Sequence, residues 1–278
     1  KGGGGAPTML KFVYTAKNDR SVSSVKPEYD FLKPDETMEL GKHLREISGI
    51  SYIPGKDILL AENDEKGEIF QVDFKNKKDD FDKLRFGGPG DYEDIVHTDT
   101  ADYLLLSSGT IVQVLTKDGG ITGTQKFTLH RSGSNEYETL YLDSASHSLI
   151  MLCKQCAHEK DKVRSAFRFD LVTHQFSNES VYDMSLAIIR MRVNDPTAAF
   201  KPSAAAINPI TGKLFVVASV GKLLVIADKD GNVERVFRLD PKLFNQPEGM
   251  TFAPNGDLYI SNEGGGGVAT ILKFVYKP

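Results

Sequence analysis

Apolar residues along this chain fall in short runs separated by turn signals. Met250-Thr251-Phe252-Ala253 is followed by Pro254-Asn255-Gly256-Asp257 and then by Leu258-Tyr259-Ile260-Ser261. Two short apolar segments around Asn-Gly predict two antiparallel strands, because glycine supplies the positive φ that a tight hairpin needs. The arrangement recurs with Pro54-Gly55-Lys56-Asp57 before Ile58-Leu59-Leu60, with Asn208-Pro209-Ile210-Thr211-Gly212-Lys213 before Leu214-Phe215-Val216-Val217, and with Asp143-Ser144-Ala145-Ser146-His147 before Leu149-Ile150-Met151-Leu152. A third and a fourth strand follow, such as Leu223-Leu224-Val225-Ile226 and Val233-Glu234-Arg235-Val236-Phe237. The turn between those two, Asp228-Lys229-Asp230-Gly231-Asn232, has the look of a calcium loop. An EF-hand needs glycine at its sixth position and glutamate at its twelfth, where this chain has Val233 and Leu239, so a hairpin is expected.

Each first strand opens on a related motif: Ile47-Ser48-Gly49-Ile50, Tyr92-Glu93-Asp94-Ile95, Tyr137-Glu138-Thr139-Leu140, Pro202-Ser203-Ala204-Ala205 and Pro247-Glu248-Gly249-Met250. Its second residue stands at 48, 93, 138, 203 and 248, so the steps are 45, 45, 65 and 45. A period near 45 with four short strands per unit predicts an all-β fold, a five-bladed β-propeller of four-stranded antiparallel blades. The fifth unit ends before its fourth strand, and Thr37-Met38-Glu39-Leu40 is a strand to spare. An N-terminal strand in the last blade would close the ring and hide the edges of an open array. The expected organisation is a flexible tether and lead-in over 1–28 and a single propeller over 29–278. The extra residues of the 65-residue step, 184–201, form either a short helix over one face or a loop.

The first strand of a propeller blade is the innermost, so the second motif residue lies beside the central channel. Its occupants are Ser48, Glu93, Glu138, Ser203 and Glu248. Three carboxylates brought together repel unless protonated or bridged by a cation. All-oxygen ligation suits a hard ion, calcium before magnesium, and the lack of histidine or cysteine at this level disfavours zinc. Glu93, Glu138 and Glu248 are therefore the candidate metal ligands and calcium the candidate cofactor. The plainer alternative is that these carboxylates accept backbone N–H groups of the adjoining blade or are solvated on the rim.

Composition changes this picture little. Of 278 residues, 40% are apolar and 26% charged, as in a globular protein with a sizeable core, and the formal charge of −4 leaves no basic stripe for nucleic acid. No run approaches the 18 apolar residues of a membrane span. The start, Lys1-Gly2-Gly3-Gly4-Gly5-Ala6-Pro7, reads as a spacer from an anchor such as a lipidated residue, or equally as an expression scar. Cys153 and Cys156 flank Lys154-Gln155 in a strand and charged loop. That setting favours unremarkable thiols, or a loop disulfide in an oxidising compartment, over a redox or metal pair.

Taken in order, Glu46-Ile47-Ser48-Gly49-Ile50-Ser51-Tyr52, the Tyr92-Glu93 and Tyr137-Glu138 pairs, and Gln246-Pro247-Glu248-Gly249-Met250 with Leu258-Tyr259-Ile260-Ser261-Asn262-Glu263 resemble the SdiA-regulated family, also called YjiK/CarP-like, over about residues 29 to 278. The resemblance implies a five-bladed propeller of the bacterial cell envelope or periplasm, exported and with bound calcium in members. No catalytic activity is established for the family. Its glutamates map onto Glu93, Glu138 and Glu248. Asp94 and Thr139 stand where small residues are common, which leaves the ligands intact, and Pro202-Ser203-Ala204-Ala205 replaces an acidic-Ser-Gly motif, which does not support a role for the fourth blade. The expected function is a non-catalytic, monomeric binding or scaffold module with an unidentified protein or small-molecule partner on one face. The alternative is a calcium-dependent lactonase or esterase. This rests on a more distant likeness to six-bladed propeller hydrolases, in which Glu248 and Asn262 would hold a catalytic ion. His97 is the nearest candidate base, and a satisfied strand residue is its plainer reading. No Gly-x-Ser-x-Gly elbow is present, and Gly264-Gly265-Gly266-Gly267 opens no helix and reads as a hairpin.

Overall fold

A computed structural model describes residues 28–77 and 83–278, so most of the expected tether lies outside the described residues. After a lone strand β1 (Glu36–Glu39), blade 1 runs β2 (Ile47–Ile53), β3 (Ile58–Asn63), β4 (Lys66–Val72) and β5 (Lys83–Arg85). Blade 2 is β6 (Tyr92–His97), β7 (Asp102–Leu106), β8 (Thr110–Lys117) and β9 (Gly120–Thr128). Blade 3 is β10 (Asn135–Asp143), β11 (Ser148–Cys156), β12 (Val163–Asp170) and β13 (Tyr182–Ser185), followed by the helix α1 (Leu186–Arg192). Blade 4 is β14 (Ala204–Ile207), β15 (Leu214–Ala218), β16 (Leu223–Ala227) and β17 (Val233–Arg238). The last three strands, β18 (Pro247–Phe252), β19 (Leu258–Asn262) and β20 (Thr270–Phe274), take β1 as their fourth, in the order β1-β20-β19-β18. Every sheet is four-stranded, and β2, β6, β10, β14 and β18 touch in turn around the axis and back to β2. This is a five-bladed β-propeller closed by its N-terminal strand.

The apolar runs are continuous where a blade is covered on both sides. Leu214 to Ala218 and Leu223 to Ala227 are buried at every residue, because blade 4 packs against a neighbour on each face. Five separate apolar cores fill the five seams; between blades 1 and 2, for example, Leu60 and Ile69 meet Ile95, Leu104 and Val112. Fourth strands face water instead, and β9 has no fully buried residue.

Closure runs Glu36–Lys273, Thr37–Leu272, Met38–Ile271 and Glu39–Thr270, extended by the Leu40 N–H donating to Ala269 O at 2.9 Å. Upstream, Tyr29 is 1% exposed, donates its hydroxyl to Gly256 O at 2.6 Å and accepts from Asn208 Nδ2 at 2.6 Å, which ties blade 4 to blade 5. Glu28, the last residue of the expected tether and lead-in, pairs with Arg235 at 2.7 Å.

Met184 and Ser185, expected to belong to the insert, complete β13. Ser185 then caps α1, accepting from Ile188 N. The helix packs against β12 and β17, in the seam between blades 3 and 4 and away from the axis. The Asp228 turn is a hairpin: its carboxylate accepts the N–H groups of Asp230 and Asn232 at 3.0 and 2.9 Å. Cys153 and Cys156 form a disulfide. No helix among the described residues is long and apolar enough to cross a membrane.

Candidate functional site

The glutamates stand where the inner ladder slips. Tyr92 pairs with Leu106 and Asp94 with Leu105, leaving Glu93 as the extra residue. Tyr137–Cys153 and Thr139–Leu152 leave out Glu138, and Pro247–Asn262 and Gly249–Ser261 leave out Glu248. Blade 1 slips likewise between Ile47 and Ile50. A β-bulge turns its extra side chain out of the ladder, so the repeat presents these carboxylates at the same end of each innermost strand.

The residue after the bulge lies in the seam. A side chain on Gly249 would meet Ser48 O of the next blade at 2.5 Å, and one on Gly49 would meet the Asp94 backbone at 2.6 Å. Where the motif departs from small residues it uses the seam instead. Asp94, 2% exposed, accepts from Ile95 N at 2.9 Å and from Leu140 N of blade 3 at 2.8 Å. Among the described residues, four further buried oxygens near this end have no protein partner: Glu62 Oε2, Asp64 Oδ1, Thr139 Oγ1 and Asn262 Oδ1.

Sequence reasoning missed Lys154. Its ammonium contacts Glu138 and lies 2.9 Å from Glu136 Oε1, and its charge bears on both Glu93 and Glu248. It follows Cys153 at the ladder step that Asp64, Ser107, Ser219 and Glu263 occupy in the other blades. The step two residues before the bulge carries Glu46, Asp91, Glu136, Lys201 and Gln246. With the bulge ring, these positions hold eight carboxylates against two lysines, a formal −6 in a chain whose total is −4. Among the described residues, Glu93, Glu138 and Glu248 do not form a set with carboxylate oxygens all within 4.8 Å of one another. Cys153, Cys156 and Glu159 do lie that close, but the two sulfurs are bonded to each other.

The environment holds these acids toward their neutral forms. Burial, then the charges of Asp91 and Glu248, push Glu93 up to about 8 against the pull of Lys154. Burial raises Glu248 too, opposed by the Ser219 hydroxyl, Lys154 and Lys222. Glu263 rises to about 7 through burial and its carboxyl hydrogen bond with Glu46, and burial and Glu65 lift Asp64 to about 6. Glu93, Glu263 and Asp64 are all held above the range of the unfolded chain. The folded, cation-free protein therefore binds protons that the unfolded chain releases, and the associated stability is full below about pH 4.5 and lost as pH rises through about 6 to 8. Urea titrations in chelator should show stability falling by a few kcal/mol between about pH 5 and pH 9, with Glu93→Gln removing the largest single share of that slope. A slope unchanged in Glu93→Gln would refute this assignment.

The opposite end of the same strands is unlike this one. Ile50, Ile95, Leu140, Ala205 and Met250, two residues past the bulge, are all at most 3% exposed. They form the floor of a cavity of about 600 Å³ to which all five blades contribute. His97 lines it, with Nδ1 2.6 Å from Asp102 Oδ1, and donates its backbone N–H to Ser51 Oγ at 2.9 Å. His97 and Glu248 thus lie on opposite sides of an apolar floor, so the nearest candidate base does not join the glutamates.

Fold and site together define a five-bladed propeller with one strongly acidic channel end. The chain belongs to the SdiA-regulated family, whose model matches residues 23–265. No curated protein sequence matches it. Among solved structures it is similar to a luciferin-regenerating enzyme (TM-score 0.56, 12% identity, 87% of this chain and 95% of that one). It is also similar to the PQQ-bound aldose sugar dehydrogenase of Streptomyces coelicolor (0.55, 13%, 88% and 98%). A protein of unknown function from Bacteroides thetaiotaomicron is a third (0.55, 15%), where the match covers 82% of this chain and 55% of that one. At such identities the likeness is one of fold.

Proposed function

We propose that this protein is an exported, calcium-binding propeller of the cell envelope or periplasm that acts as a non-catalytic binding or scaffold module, with the ion at the acidic end of the channel. The observation that carries this reading is the crowding of acids there: half-buried Glu93 is raised by burial, Asp91 and Glu248, and Lys154 offsets them only in part. A dication relieves that repulsion without protonating either group, and the concentrated negative field raises local cation concentration. Glu93 and Glu248 are the ligands best placed. Glu138 is already engaged by Lys154, so it would serve by orienting the lysine or by exchanging it for the ion. Unpartnered buried oxygens such as Asn262 Oδ1 fit the further donors a hard cation takes. The disulfide supports export, since such bonds persist in oxidising compartments.

A ligand bound only by the folded state must raise its melting temperature. Calcium at about 100 times its Kd adds about 2.7 kcal/mol, or about 5–10 °C in a domain of this size. Glu93→Gln and Glu248→Gln should each abolish the shift. No shift in the parent protein at millimolar calcium rules the ion out. Asn262 Oδ1, one ladder step from Glu248, favours a second reading in which a bound calcium polarises a carbonyl for lactone or ester hydrolysis. Turnover that needs calcium and disappears in Glu248→Gln would establish the second reading over the first.

A further inference from the structure

We propose that the cavity at the non-acidic end of the channel is a binding site for a small neutral aromatic alcohol, whose hydroxyl donates to Nε2 of His97. Four residues past the bulge, the five blades contribute Tyr52, His97, Leu142, Ile207 and Phe252. Four of these offer apolar surface, and one offers an imidazole. Tyr52 is already stacked on Tyr259 at 5.9 Å and Phe252 set edge-on against Phe215 at 5.2 Å, so both rings are fixed before a ligand arrives and little rotamer freedom remains to be lost. The volume of about 600 Å³ is that of a small-molecule site.

The polar part of the recognition follows from Asp102. Its carboxylate can only accept, so the neutral imidazole carries its proton on Nδ1, and the Nε2 lone pair is left as the acceptor. Among the described residues neither lysine nor arginine lines the cavity, which disfavours an anionic ligand, and the one carboxylate among them, Asp99, is exposed at the outer edge. His97 carries a polar atom at a ring position that is otherwise aliphatic or aromatic, and Asp102 fixes which atom it offers. An apolar planar body with one hydroxyl donor matches both features. The site does not rest on the cation reading, because the floor of Ile50, Ile95, Leu140, Ala205 and Met250 separates the two ends.

The test is fluorescence titration with 2-naphthol and with 2-methoxynaphthalene, which keeps the ring and loses the donor, in calcium and in chelator alike. The parent protein should bind 2-naphthol saturably at one site, about fivefold to tenfold more tightly than the methyl ether, as for one hydrogen bond in a desolvated site. His97→Phe should bring the two affinities within about twofold of each other, a ratio that general loosening of the fold does not mimic. Ala206→Phe, which fills the cavity from blade 4, should weaken both ligands at least about tenfold. Absence of saturable binding by the parent protein overturns the proposal. So does a preference for naphthol that survives His97→Phe, or full binding in a folded Ala206→Phe. Should Ala206→Phe not fold, the parent protein and His97→Phe decide the matter by themselves.

Discussion

Deleting residues 36–41 is expected to abolish cooperative folding of the whole propeller. The segment supplies the outer strand of the last blade, with four paired residues against β20 and one further backbone bond from Leu40. Met38 and Leu40, 2% and 7% exposed, sit in the apolar core that joins blade 5 to blade 1, together with Ile47, Tyr259 and Ile271. Burial of two such side chains accounts for about 3–6 kcal/mol before the ladder is counted, and a native domain has about 5–15 kcal/mol in total. The deletion also bares the edge of β20, which invites pairing between copies. Gel filtration should show association and circular dichroism a broad melt without a transition baseline. A sharp melt within about 5 °C of the parent protein would mean the ring closes by other means. Met38→Ala, which keeps the strand, should cost only about 2–4 kcal/mol.

That strand was legible because the fifth unit lacks one and the N-terminal segment has one to spare. The glutamate ring was legible for a related reason: the bulge recurs at one sequence position, so a 45-residue step carries Glu93 onto Glu138. A repeat fixes the angular place of a residue around the axis. It does not fix the rotamer, and so it left open which carboxylates meet and what stands among them. Lys154 was hidden by its setting, because the flanking cysteines drew attention to the sulfurs rather than to the residue between them. The signal existed in the alignment of second-strand ends, where Asp64, Ser107, Lys154, Ser219 and Glu263 share a ladder step. Tyr29 left no such trace. It precedes the first repeat, and its partners Gly256 and Asn208 are both turn residues whose acceptor and donor become available only after blades 4 and 5 have met. The cavity was equally unreadable, since the apolar residues at its rim look like ordinary strand positions until the ring is closed.

Replacing Arg164 by methionine should destabilise the protein by about 3–5 kcal/mol, on the order of 10 °C in melting temperature. Arg164 and Glu159 are 4% and 1% exposed in their side chains and pair at 3.1 Å, and the guanidinium also donates to Phe200 O at 3.0 Å and Val163 O at 2.8 Å. Glu159 in turn accepts from Ser165 N at 2.7 Å and Cys156 N at 3.2 Å. The arginine thus holds the chain entering blade 4 against blade 3, while the glutamate closes the turn beside the disulfide. Methionine fills much of the volume but leaves a buried carboxylate without its cation and a buried carbonyl without its donor. Burial already raises the Glu159 carboxyl, with Arg164 opposing, so loss of the arginine raises it further. The variant should then keep Glu159 protonated to higher pH, and its deficit should be smaller at about pH 5 than at about pH 8, because stability tied to a raised carboxyl is lost as pH rises. Adding Glu159→Gln to the same chain removes the uncompensated charge and should recover part of the loss at pH 8 and little at pH 5. Equal deficits at both pH values, with no recovery in the double variant, would show that packing rather than charge sets the cost.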